Sequence, residues 1–140
     1  MADQQEAQKK FAARWFEEVW NQSRREAIDE MFSEDCVLHD GRAEYRGPAE
    51  FKRFYDTLRV QLFDVRVIPL ETLSEGDMVC MRWSSTAKHS STGKHLEVTG
   101  MSFLRFKDGR FVEAWQNWDQ HGLLQQLEGT APESFFQAAG

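Results

Sequence analysis

The chain changes hydrophobic period once, close to residue 62, and that change constrains its fold more than any other feature. Before it, apolar residues recur at helical spacing. Phe11, Trp15 and Val19 fall on one line with Phe16 and Trp20 beside them, which predicts a helix with a broad apolar stripe over Ala2–Trp20. Ser23-Arg24-Arg25-Glu26 reads as a capping box, opening a short second helix with Ala27, Ile28, Met31 and Phe32 on its inner face. Cys36–His39 reads as a brief strand. Gly47-Pro48 then opens a third helix, with Gly at the cap and Pro in the first turn, where its missing N–H costs nothing. Phe51, Phe54, Tyr55, Leu58 and Leu62 give that helix one apolar face.

From Val65 onward the pattern is that of strands. Val65–Leu73 is β-rich, with Pro69 marking a bulge or an edge. Met78–Thr86, Leu96–Phe106 and Phe111–Trp118 follow, separated by Ser74-Glu75-Gly76-Asp77, a polar loop over 88–94, and Lys107-Asp108-Gly109-Arg110, whose Asp-Gly pair suits a tight hairpin. A short helix or turn over Gly122–Leu127 ends the pattern. Three helices followed by an antiparallel meander is an α+β order, and the helices must cover one face of a curved sheet. With no repeat or linker, the chain reads as one domain over 1–140, its core about 8–128 and its tail 129–140.

Composition narrows the function classes. At 140 residues, one domain buries roughly 65–70% of its unfolded surface, so no disulfide or metal is needed to hold a core. Cys36 and Cys80 lie far apart, which argues against both a disulfide framework and a zinc site. A net charge of −6 is a poor match for nucleic acid or an anionic membrane surface. No apolar run approaches a membrane span, and the polar, acidic N-terminus does not read as a signal peptide, so a cytoplasmic protein is expected. The 11 Phe, 5 Trp and 2 Tyr supply more flat apolar surface than a core of this size needs.

The last strand carries the most chemistry. Alternation puts Glu113, Trp115, Asn117 and Asp119 on one face, and Ala114, Gln116 and Trp118 on the other. If the first face is solvated, this is an ordinary exposed strand. If it lies under the helices, Asp119 is a carboxylate in an aromatic cavity, where burial would raise its pKa toward that of a useful general acid or base. Arg82 alternates with Trp83, so only one of them faces inward, and a buried Arg82 would need Asp119 or Glu113 as partner.

Residues 98–127, with the Asp-Gly-Arg turn, Glu113-Ala114-Trp115 and the run Trp118-Asp119-Gln120-His121-Gly122-Leu123-Leu124, resemble the closing segment of SnoaL-like polyketide cyclases, members of the nuclear-transport-factor-2-like superfamily. Trp20-Asn21, Met31-Phe32-Ser33-Glu34-Asp35 and Gly47-Pro48-Ala49-Glu50-Phe51 agree with it, so the resemblance runs from about residue 11 to 128. It implies a conical α+β barrel with three N-terminal helices on the concave face of an antiparallel or mixed sheet, one apolar pocket, and a homodimer. It also implies an intramolecular aldol closure without metal or cofactor, with Asp119 as the proton-transfer residue and a hydrophobic, carbonyl-bearing small molecule as ligand. Asn117, His39 and His89 are then the candidates to hold the enolate oxygen. Trp15, Tyr55, Trp83 and Trp115 would wall the site, and Tyr45 would close its mouth.

Each residue also has a plainer reading. His39 at a strand end can satisfy a neighbouring group, and His89 sits on a loop that looks shorter than in most relatives. Aromatic residues at helical spacing are ordinary core. Two other functions stay open. Asp40 falls where ketosteroid isomerases carry their proton-shuttling base, but Trp15 or Phe16 and Ser102 stand where that family has its hydrogen-bond donors. The paired acids of limonene-epoxide-hydrolase-like chemistry are absent. A non-catalytic binding cup or dimeric interaction module is the remaining alternative, with Phe135 and Phe136 plugging the pocket or padding an interface.

Overall fold

The N-terminal stripe forms helix α1 (Ala2–Trp15) in the computed structural model, which describes residues 2–128. Phe135 and Phe136 lie outside the described residues. Beyond Trp15 the helix widens into a π-helical turn over Phe16–Asn21, where the Gln22 N–H donates to the Glu17 carbonyl at 2.8 Å. The wider turn lets two adjacent aromatics bury in different directions. Trp15 packs against Phe32, Phe51 and Phe111, with ring centroids 5.2–5.9 Å apart, while Phe16 turns toward Trp83.

The expected capping box does not form. Ser23 is left-handed, and α2 (Ala27–Met31) follows Glu26 with no side-chain cap. The Arg24 guanidinium gathers the carboxylates of Glu18, Glu26 and Glu30, which draws Glu26 away from the backbone it would have capped. The Ser23 hydroxyl instead accepts from Arg59.

Helix α3 (Gly47–Gln61) starts one residue earlier than the cap reading had it, with Arg46 as the extended cap and Pro48 in the first turn. Gly47 has φ +73°, and a Cβ there would lie 2.8 Å from the Glu34 carbonyl oxygen, so both backbone and space require glycine.

Six strands follow the order β2-β1-β6-β5-β4-β3, comprising β1 (Phe32–Asp40), β2 (Ala43–Arg46), β3 (Leu62–Glu75), β4 (Met78–His89), β5 (His95–Lys107) and β6 (Arg110–Trp118). All neighbours run antiparallel except β1 with β6, so the sheet is mixed. It curves around the helices as the cone-shaped sheet of the resemblance implies, but does not close into a barrel: among the described residues β2 and β3 are its edges. Pro69 lies on edge strand β3 beside a register shift, where its missing N–H breaks no interior ladder. Asp108 and Gly109, both at positive φ, make the β5–β6 hairpin turn. Helix α4 (Gln120–Glu128) closes the described chain. Among the described residues, no helix is long and apolar enough to cross a membrane.

A bulge in β6 decides which face looks inward. Phe111 pairs with Phe106 and Glu113 with Arg105, leaving Val112 as an extra residue. The inward sequence is therefore Phe111, then Ala114, Gln116 and Trp118. Farther along, Trp83, Gly100 and Trp118 lie side by side across three strands. A Cβ on Gly100 would come within 2.4 Å of the Trp83 ring and 2.8 Å of Trp118 Cβ, so the missing side chain is the slot in which the Trp83 indole lies. Gly100→Ala should cost about 1–3 kcal/mol by overpacking, read as a lower urea midpoint; an unchanged midpoint would show that the slot has slack.

Candidate functional site

The bulge-shifted face of β6 forms part of a cavity of ≈ 90 Å³ between α3, the π-helical turn and the inner face of β3–β5, closed over by α4 through Leu123. Its walls are aromatic and aliphatic, including Phe16, Trp20, Phe54, Trp83 and Trp118. The polar groups on the wall are Arg59, Ser85, Thr86 and Gln116, and no carboxylate among the described residues lines it. Beside it an open cleft of ≈ 420 Å³ runs between the β1–β2 turn and the start of α4, past Asp40, Arg42, Asn117, Asp119, Gln120 and His121. Trp118 borders both spaces.

Asp40 is the buried acid of this region, only 4% exposed. Parallel pairing sets it opposite Gln116, and it accepts from Trp118 Nε1 at 3.0 Å and Gln120 Nε2 at 3.3 Å. Burial pushes its pKa up, while hydrogen bonds from Gln116, Trp118 and Gln120 partly hold it back. Tyr45, packed on Phe54 with ring centroids 4.8 Å apart, has its phenol pKa raised by burial and then by the Asp40 charge.

The residues singled out from the sequence do not converge on this cavity. Asp119 is exposed, and its Oδ1 accepts the Gly122 N–H at 2.9 Å as the first turn of α4 begins. A Cβ on Gly122 would lie 2.1 Å from the carboxylate, so glycine is what admits this cap. Asn117 is exposed on the outer face of the sheet. His39 is on that face too: its ring stacks on Trp115 at 5.5 Å, with Nε2 2.8 Å from Glu113 and Nδ1 3.4 Å from Glu44. His89 is the last residue of β4, paired with Leu62 rather than carried on the loop, and its ring bonds to Ser91 and Thr92 away from the cavity. Trp15 belongs to the aromatic core, and Tyr55 is buried with its hydroxyl donating to the Val19 carbonyl at 2.9 Å.

Trp83 alone of the proposed wall residues lines the aromatic cavity, its Nε1 donating to the buried Ser102 hydroxyl at 3.0 Å. Ser102, at the position where an isomerase-like reading would need an acidic donor, is the acceptor in that bond. Arg82 points outward to Glu71 at 2.8 Å, rather than to Asp119 or Glu113. Gln116, Trp118 and Gly100 were the residues the sequence reading passed over. The Phe111-to-Ala114 spacing was the available signal, because an odd offset between two buried strand residues marks a bulge.

An α+β fold of helices laid over a curved mixed sheet, with an aromatic cavity between the layers, is the class these features define. The sequence profile of the SnoaL-like polyketide cyclase family matches residues 10–127, and the chain belongs to that family. Among solved structures, a proposed polyketide cyclase from Acidithiobacillus ferrooxidans is 29% identical with a TM-score of 0.78, over 89% of this chain and 96% of that one. A proposed polyketide cyclase from Bacillus cereus is 27% identical with a TM-score of 0.74, over 86% of this chain and 80% of that one. AclR of Streptomyces galilaeus, a proposed hydroxylase, shares the fold at 22% identity and a TM-score of 0.81, over 91% and 99% of the two chains. No curated protein matches the chain in sequence.

Burial of Asp40 has a pH signature. Its folded pKa is raised above the unfolded value, so the folded state binds the proton more tightly. Its destabilising effect is absent below the ordinary aspartate pKa and grows as pH rises through the raised value. The unfolding free energy of Asp40→Asn, minus that of the parent, should therefore increase with pH across that window. A difference that stays flat or falls would contradict the assignment.

Proposed function

We propose that the chain binds an apolar, carbonyl-bearing small molecule in the aromatic cavity and moves a proton on it with Asp40, in a cyclase or isomerase type of reaction. The observation that carries this reading is a buried carboxyl of raised pKa directly behind Trp118, the indole that lines the cavity. A carbonyl makes the adjacent carbon acidic, so side-chain acid–base chemistry suffices. Ionised Asp40 takes a proton from that carbon, and the electron pair moves onto the carbonyl oxygen as an enolate. Gln116, Ser85 and Thr86, on the cavity wall, are the neutral donors placed to meet that oxygen. In a cyclisation the enolate carbon attacks a second carbonyl of the same molecule, and the new alkoxide takes the proton back from Asp40. Trp118 must swing aside for contact, because its indole stands between the carboxyl and the cavity.

Asp40→Asn should lower turnover of a carbonyl-bearing polycyclic substrate by about 100-fold or more, with binding followed by Trp fluorescence little changed. Asp119→Asn, made in parallel, tests the acid that the family resemblance points to. Turnover lost in the second variant and kept in the first would move the chemistry from Asp40 to Asp119. The second reading, a binding cup without catalysis, is favoured by the lack of any carboxylate on the cavity wall among the described residues. It expects saturable binding, and no change of the ligand, in all three proteins.

A further inference from the structure

Among the described residues, Arg59 is the one ionised side chain on the cavity wall, set among aromatic and aliphatic groups at the C-terminal end of α3. Arg25 forks onto Asp56 at 2.9 Å, Arg24 holds three glutamates, and Arg82 and Arg105 each face a carboxylate. Arg53 and Arg66 form no ion pair among the described residues, but neither lines the cavity. Arg59 has no carboxylate partner among the described residues. Its hydrogen bonds go to neutral oxygens, the Trp20 carbonyl at 3.2 Å and the Ser23 hydroxyl, and its guanidinium lies over the Tyr55 ring at 5.3 Å. The nearby acid Asp56 is already committed to Arg25. A guanidinium has five donors in a planar fork, and these contacts take two of them.

An unpaired cation beside an apolar cavity is a selection device. A neutral hydrocarbon gains nothing from it, whereas an anionic group on the same skeleton replaces water around a charge that no protein carboxylate satisfies. We infer that the cavity takes an amphipathic anion, an aromatic or polycyclic body carrying a carboxylate or an acidic enol, and that Arg59 meets the anionic end. This rests on the proposal that the cavity is the ligand site, and it names the substrate class. It also gives the ligand a direction: anion at the end of α3, and the opposite end toward Gln116 and Trp118, the side of Asp40.

The test compares 2-naphthoate with 2-naphthamide, which share shape and differ in charge, by Trp fluorescence titration at neutral pH. The parent should bind the carboxylate about tenfold more tightly, a preference that shrinks with added salt. Arg59→Gln should abolish the preference, weakening the carboxylate about tenfold more than the amide, and Arg59→Lys should keep part of it. If Arg59 only tied α3 to the end of the first helix, both ligands would weaken together. Equal affinity of the two ligands in the parent, or a preference that survives Arg59→Gln, would overturn the inference. If the amide still saturates in that case, the cavity reading stands; if neither compound binds, both fail. A thermal melt of each variant confirms that the fold is intact when binding is read.

Discussion

The parallel pairing of β1 with β6 is the joint on which the rest of the molecule hangs. The helical half of the chain and the meander meet there, because β1 follows α2 and β6 is the last strand of the meander. The same pairing sets Asp40 beside Gln116, and leaves the carboxyl within reach of the Trp118 indole. Every other neighbour in the sheet is antiparallel and is made by a local hairpin or within a single sheet half. Were β1 displaced by one residue, Leu38 and Asp40 would exchange faces with His39, and the buried acid would become a surface one.

The aromatic residues divide into two roles along that joint. Trp15, Phe32, Phe51 and Phe111 pack on one another and exclude solvent, which makes them core. Trp20, Phe54, Trp83 and Trp118 instead surround empty space. What keeps this second group apart is the row Trp83, Gly100, Trp118, in which the missing side chain lets one indole lie flat and holds the other at the partition between cavity and cleft. Arg59 and Asp40 stand at different parts of this space, one ionised and on the wall, the other buried behind the partition. A ligand that satisfies both carries an anion and a carbonyl on one apolar skeleton.

Much of the architecture was legible from the sequence. The three helical stripes, the meander, the Asp-Gly hairpin and the edge position of Pro69 each follow from local spacing and backbone chemistry, and they fix the α+β class. The face of β6 was not legible. Alternation yields two faces without saying which is buried, and counting by two from Phe111 puts Glu113 and Trp115 inward. Val112 breaks that count, and the break depends on pairing with β5 rather than on β6 itself. Asp119 therefore lies outside, at the start of α4, and His39 and Asn117 face away from the cavity. The failed capping box at Ser23–Glu26 has a similar cause, since Arg24 draws partners from three separate positions that no local motif encodes. The choice between Arg82 and Trp83 was open from alternation alone, and Glu71 on the neighbouring strand settles it.

A carboxyl ¹³C NMR titration, with Asp40→Asn used to assign the resonance, tests the placement of Asp40 most directly. A midpoint above the ordinary aspartate range, moving further when Trp118→Phe removes the indole N–H, is what burial behind that side chain requires. A midpoint in the ordinary range or below it would mean that Asp40 is solvated, and the proton-transfer role assigned to it would have to be abandoned.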